Sequence, residues 1–382
     1  MESGASSAGC GPGDLSTLVA QIEPLLAPFL SRQEWCTGTV ERVAVEDVEP
    51  LSSGLPALVA LRVRTAGVAY QVLVGVRAGD NGADTSEQAF LAEQPECIIG
   101  RVGLPDAPLL TYDALADPEL VGALVDIVTG QAQGTEHMRK GRCTQRGTSL
   151  LLDDRFELRV FRRVVDGANP EVEMILALDG EGFNHVPAPV AVWRRGGFDL
   201  AIVLELLTGA TDGTALARTS LRDLYASGVA PGATGGDFSG EAERLGNMTG
   251  FLHIALASAF GTKTDQGGAV ATRIHGDYDL DHVSRAEMGW FVHDFEPRAP
   301  DAAGDLGRRA PVVEDIGTMF ASLRAAARAV AHEWSPSDPE ALSGLADSWI
   351  ERNEKAFVDG YLAVTGVESV AAEEAVRGLV ET

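Results

Sequence analysis

The stretch RIHGDYDLDHV, Arg273 to Val283, sets the carboxylate of Asp277 behind a His275-Gly276 turn, and a second carboxylate, Asp294, follows the apolar run WFV. Glycine lets the chain turn sharply, so the aspartate projects from the turn. A carboxylate fixed in this way can accept the hydrogen bond of an incoming hydroxyl and orient it. A carboxylate at a strand end is a hard oxygen donor, suited to magnesium. The pair meets the needs of phosphoryl transfer from a nucleotide, which asks for positioning and charge neutralisation rather than covalent help. HGD alone recurs by chance. HGD followed at hairpin distance by DFE, after a run of strands, is far more specific.

Those residues need elements to hold them. LSTLVAQIEPLLAPFL reads as a helix, and VERVAVEDV, LPALVALRVRTAG and VAYQVLVGV as strands. GDNGADTSEQ is a loop by composition, and the small, polar first dozen residues read as a disordered tail. DPELVGALVDIVTGQ predicts a helix capped by Asp117 with Pro118 in its first turn. GTSLLLDDRFELRVFRRV predicts two strands joined by a tight turn at Asp153-Asp154. PEVEMILALDGEG follows as a helix, then VAVW and DLAIVLELL as strands. Downstream the apolar spacing turns helical: Leu245, Met248, Leu252 and Leu256 share one face, as do Ile316, Met319, Phe320 and Leu323, and then Leu345, Trp349, Phe357 and Tyr361. These last aromatics are core by spacing, and His253 is a structural histidine on an apolar helix. A five-strand unit leading into helices predicts two lobes with a cleft between them.

Composition narrows the partners. The 382 residues include 30 basic and 56 acidic ones, a formal charge of −26. Such a surface repels phosphodiester backbones and anionic lipid, which excludes nucleic acid and membrane as partners. No apolar run approaches the ~18 residues of a membrane span, and no signal peptide is visible. Four scattered cysteines without C-x-x-C spacing fit reduced thiols in the cytoplasm. The oligomeric state is left open.

HGDYDLDHV, WFVHDFE and EDIGTMFASL resemble the aminoglycoside-phosphotransferase-like kinases, and within them the maltokinases. LSRQEW, LLTYDALADPEL, LRVFRRVVDGANPEVEMILAL, AERLGNMTGFLHIALASAF and WIERNEKAFVDGYLAV carry the closer resemblance, from about residue 30 to residue 375. It implies an α+β, bilobal protein-kinase-like fold: an N-terminal α/β cap over 1–140, a small five-stranded nucleotide lobe over 141–207, and a helical C-lobe over 208–382. It implies an ATP-dependent sugar kinase, with maltose as acceptor and Mg2+, or Mn2+, as the ion. Asp277 would be the catalytic carboxylate with His275 holding its turn, and Asp294 and His282 would be the metal ligands. Arg159 would meet the phosphates and pair with Glu173. Thr148 and Ser149 would lie in the loop over the phosphates, and Glu205 and Leu206 in the hinge beside the adenine. Asp315 would buttress the catalytic loop.

The sequence departs from the family pattern at several points. The loop His-Gly-Asp-x-His-Leu-x-Gln carries Asp279 in place of its second histidine and His282 in place of its glutamine. The phosphate-pairing lysine is Arg159, the cap signature Trp-Phe-x-Gly-Lys becomes Trp35-Cys36-Thr37-Gly38-Thr39, and Pro297-Arg298-Ala299-Pro300 replaces Gly-Glu-Pro. A guanidinium binds phosphate as a broad fork, unlike an ammonium. Imidazole is a poorer ligand than an amide oxygen for magnesium but acceptable for manganese. Asp279 and Asp281 add negative charge at the acceptor, which suits a cationic amino sugar or aminocyclitol. The chain also stops before the terminal helix expected to close a disaccharide site. An amino-sugar kinase such as a glucosamine kinase is therefore the alternative to maltose, and a catalytically impaired binding protein is the second.

Overall fold

A computed structural model describes residues 12–79, 94–104, 107–143, 147–233, 237–264, 270–295, 309–335, 337–366 and 378. The N-terminal tail, the GDNGADTSEQ loop from residue 80, the Pro297–Pro300 departure and the chain end lie outside these. The chain forms two compact units: residues 1–169 with 189–206, and residues 170–188 with 207–382.

The first unit opens with helix α1 (Pro12–Leu30), followed by strands β1 (Ala44–Pro50), β2 (Ala57–Thr65), β3 (Val68–Ala78), β4 (Ile98–Leu104) and β5 (Ala107–Asp113). These make an antiparallel sheet in the order β1-β2-β3-β5-β4, with β9 (Arg163–Val164) pairing β3. Its central strands are apolar at nearly every position because both faces are covered. Val59, Leu61, Val63, Val72 and Val74 pack with Leu18, Ile22, Leu26 and Phe29 of α1. Leu58 and Leu73 join a second core built around helix α2 (Pro118–Thr129). That core also contains Leu150, Leu158, Val160, Ala201 and Val203 from a five-stranded sheet. Its order is β10 (Pro189–Arg195), β11 (Phe198–Glu205), β8 (Phe156–Phe161), β7 (Gly147–Leu152), β6 (Met138–Cys143). Helix α2 is thus a shared layer.

Local signals are met here. The Asp117 carboxylate accepts the Glu119 N–H, and Pro118 opens α2. Asp153 and Asp154 both have φ 52°, the left-handed backbone of a primed hairpin turn between β7 and β8. The Asp153 carboxylate is occupied as well, accepting the N–H groups of Glu136 and His137 at 3.0 and 2.6 Å.

The second unit contains helices α3 (Pro170–Gly180), α4 (Gly213–Ser227), α5 (Ser239–Phe260), α6 (Val313–Trp334) and α7 (Ser343–Thr365). Short strands β12 (Thr211–Asp212), β15 (Val283–Ala286) and β16 (Gly289–Val292) form one small sheet. Strands β13 (Lys263–Thr264), β14 (Val270–Arg273) and β17 (Arg309–Ala310) form another. Helices α5 and α7 meet backbone to backbone. A Cβ on Gly246 would collide with the Phe357 carbonyl, and one on Gly360 with the Glu243 carbonyl. That approach sets the depth at which His253 and Tyr361 face each other.

Gly246→Ala and Gly360→Ala should each destabilise the protein by about 1–3 kcal/mol or more, because neither obstructing atom is a movable side-chain end. Gly317→Ala in α6 meets nothing within 4 Å and should instead stabilise by roughly 0.5–1 kcal/mol. Urea unfolding followed by circular dichroism measures both, and equal effects at all three positions would refute the close-packing argument.

Candidate active site

The site is built on the turn between β14 and the β15–β16 hairpin. Asp315, in the first turn of α6, is 1% exposed and accepts the backbone N–H groups of His275 and Gly276, both at 2.9 Å. Gly276 sits at φ 85°, a backbone that a Cβ would strain. The carboxylate therefore holds the loop by its main chain. His253 Nε2 lies 3.2 Å from the same carboxylate, and His253 Nδ1 is 3.1 Å from the Tyr361 hydroxyl. His253, anticipated only as structural, is a link in the support of the loop. Its signal is legible only afterwards, as one polar residue on an otherwise apolar face.

His275 is buried between the two carboxylate-bearing segments. The Asp277 N–H donates to its Nδ1 at 3.3 Å, and its Nε2 faces the His293 carbonyl at 3.1 Å. Both contacts are satisfied by the neutral ring with its proton on Nε2. Burial pushes the imidazole below its ordinary range despite the opposing pull of Asp315. Its ring packs 4.9 Å from that of Phe295 and 5.5 Å from that of Tyr278. The Tyr278 hydroxyl is 2.7 Å from Thr249 Oγ1, and burial drives that phenol well above its normal value.

Hairpin register brings the second segment in. Val283 pairs with Val292, and beyond them the His293 N–H donates to the His282 carbonyl at 3.0 Å. Asp294 follows at φ 60°, a left-handed conformation uncommon outside glycine and tolerated by aspartate. His293 Nδ1 lies 3.2 Å from the Asp294 carboxylate, and its Nε2 lies 3.0 Å from Ser284 Oγ.

The two altered loop positions are partners. Asp279 Oδ1 accepts the Asp281 N–H at 2.9 Å and faces His282 Nδ1 at 2.7 Å. Burial depresses the His282 imidazole, but Asp279, then Asp277 and Asp294, outweigh it and hold the ring above its usual range. The ligand atoms of Asp277, Asp279 and His282 all lie within 4.8 Å of one another. Asp279 thus enters the candidate metal group, where the sequence had suggested Asp294 with His282. Asp281, expected to face substrate, accepts from Thr214 Oγ1 of α4 at 2.7 Å.

In the first unit, Thr148 and Ser149 lie inside β7, where they pair with Val160 and Arg159, and not in a loop. Neighbours on a strand point to opposite faces, so the two cannot both meet one phosphate group. Ser149 and Arg159 share a face with Glu157: Ser149 Oγ donates to Glu157 at 2.5 Å and Arg159 Nε at 2.9 Å. Thr148 turns the other way and accepts from Arg162. Glu205 is exposed at the end of β11, and the Leu206 N–H donates to the Arg155 carbonyl at 2.8 Å. In the second unit, Glu173 of α3 accepts from Arg273 at 2.9 Å, at the entrance to the loop. The guanidinium of Arg273 also lies over the Phe260 ring, 5.1 Å from its centre and inside the ~6 Å reach of a cation–π contact.

No family model matches the chain. Among solved structures, it is similar to a glucosamine kinase in complex with glucosamine, ADP and inorganic phosphate, at TM-score 0.59 and 19% identity over 94% of this chain and 92% of that one. A glucosamine kinase in crystal form A gives TM-score 0.61 and 18% identity over 97% of this chain and 92% of that one. Likeness at such identity is a likeness of fold. The chain has the α+β, kinase-like fold of these structures.

Asp315 carries a pH dependence. Burial raises its carboxyl, but hydrogen bonds and charge from His253, His275 and the Gly276 N–H bring it below its ordinary value. The unfolded carboxyl then binds a proton first, so this contribution is complete above about pH 4 and is lost as pH falls through the lower folded value. Asp315→Asn should lose about 2–4 kcal/mol at neutral pH, since its amide cannot accept from all three donors. It should also flatten the acid limb of stability below about pH 4. Urea titrations at each pH read this, and an unchanged limb would remove Asp315 from its role.

Proposed function

We propose that the protein is an ATP-dependent kinase that phosphorylates a hydroxyl of a small amine-bearing sugar, with Mg2+ or Mn2+ as its ion. The observation that carries this reading is a carboxylate cluster on a loop whose backbone is clamped by Asp315. In this reading residues 1–140 form a cap, 141–207 the nucleotide lobe and 208–382 the catalytic lobe, in the cytoplasm where ATP is available.

Asp277 accepts the hydrogen bond of the acceptor hydroxyl and keeps its oxygen aimed at the transferred phosphoryl group. His275, neutral and pinned on both ring nitrogens, keeps the Asp277 backbone still. The donors present suit a divalent ion: the hard oxygens of Asp277 and Asp279 beside one imidazole, with Asp294 near enough to act on that imidazole's charge. An ion held by Asp277, Asp279 and His282 would supply positive charge to offset that of the phosphates. The imidazole shifts the preference from magnesium toward manganese relative to an amide ligand.

The acceptor follows from charge. Three carboxylates, those of Asp279, Asp277 and Asp294, act on one raised imidazole, that of His282. An ammonium group on the acceptor is favoured there over a neutral sugar. The glucosamine kinases of the same fold support the amine reading, and maltose, implied by the motif resemblance, gives way to it. One observation favours a non-catalytic binder instead: Glu157 already neutralises Arg159, the cation expected at the phosphates.

An ADP-release assay with glucosamine, glucose and maltose decides among these. Turnover should be fastest on glucosamine, and Asp277→Asn should reduce kcat by roughly 10²–10⁴-fold. Maltose as the better substrate would return the protein to the resemblance's acceptor. Nucleotide-dependent thermal stabilisation with no turnover on any sugar would establish the binder.

Asp294→Asn should weaken calorimetric binding of ATP with either ion by at least about tenfold while leaving the unfolding temperature within a few degrees. Undiminished binding would exclude Asp294 from the ion site.

A further inference from the structure

His293 is tied at four points to the segments that carry the acidic loop. Its N–H donates to the His282 carbonyl at 3.0 Å, and its carbonyl faces His275 Nε2 at 3.1 Å. Its ring reaches two more partners: Nδ1 lies 3.2 Å from Asp294 Oδ2, and Nε2 lies 3.0 Å from Ser284 Oγ. The serine contact follows from register. Ser284 stands opposite Phe291 across the β15–β16 hairpin, so Ser284 and His293 are diagonal neighbours on one face.

A carboxylate only accepts, so the hydrogen bond to Asp294 needs a proton on Nδ1. The neutral ring then accepts from the Ser284 hydroxyl at Nε2, and both contacts are met. Asp294 itself is held in an uncommon state. Its φ of 60° is left-handed for a residue with a side chain, a backbone kept where the surroundings over-determine it. Among the described residues, the group with ligand atoms within 4.8 Å of one another is Asp277, Asp279 and His282. Asp294 stands beside that group and acts on the His282 imidazole through its charge. Its side-chain torsions set where that charge sits, and the His293 ring restrains them.

We propose that His293 is a positioning residue for the ion, fixing the Asp294 carboxylate through its Nδ1–H. This rests on the reading of the same loop as an ion-dependent nucleotide site. Partners that orient a carboxylate at an ion typically contribute about 10–100-fold in metal affinity.

The test measures Mn2+ binding to the full chain with ADP, by electron paramagnetic resonance of free Mn2+ and by calorimetry, alongside urea unfolding. The Asn amide nitrogen takes the place of histidine Nδ1, and the Gln amide nitrogen takes that of Nε2. His293→Leu and His293→Gln should therefore weaken Mn2+–ADP binding at least about tenfold. His293→Asn should recover most of it while being no more stable to urea than the glutamine variant. Should the leucine variant fail to fold, the asparagine and glutamine variants decide. Equal affinity in those two, or wild-type affinity in the leucine variant, would overturn the role of His293 and leave the kinase reading standing. A wild-type chain that binds no ADP with Mn2+ would overturn that reading, and this proposal with it.

Discussion

The arrangement of the second unit turns on one buried carboxylate. Asp315 stands at the start of α6 with two loop N–H groups and an imidazole directed at it. A charge in that position is costly unless its lone pairs are filled, and here its partners come from two separate elements. The loop after β14 gives the amides, α5 gives His253, and α7 gives the Tyr361 hydroxyl behind it. The close α5–α7 crossing therefore bears on the acidic loop through a continuous polar chain.

The same logic organises the altered loop. Replacing a His and a Gln of the resembled pattern by Asp279 and His282 could have left two unmatched polar groups. Instead the two side chains bind each other, and Asp279 also caps the short turn that follows it. The two departures from the resembled pattern are coupled through one contact, Asp279 Oδ1 facing His282 Nδ1. On the first unit, Arg159 and Glu157 form a comparable pair on one strand face.

The first unit shows a different principle. Its central strands are apolar on both faces because α1 covers one side of the sheet and α2 the other. Helix α2 in turn packs on the five-stranded sheet, so the two sheets of the unit share a core. Such sharing leaves few polar residues inside, and those that enter, notably Arg162 and Asp113, are bound tightly to one another.

Much of this was legible in the residues. Asp117 before Pro118, the Asp153-Asp154 turn and the apolar faces of α5, α6 and α7 are local signals, and each appears where the sequence placed it. The HGD turn and its support by Asp315 were legible through resemblance. What the sequence could not carry was which side chains meet across elements. Thr148 and Ser149 looked equivalent until strand pairing turned them to opposite faces. Asp279 was expected only as a charge beside the acceptor, and the short turn folds it onto His282. Glu173 was expected to pair with Arg159, and in the structure it accepts from Arg273. Periodicity and capping are set by neighbours within a few residues, so they survive in one dimension. Ion pairs, tautomers and buried orphans depend on residues far apart in the chain, and only tertiary packing brings those together.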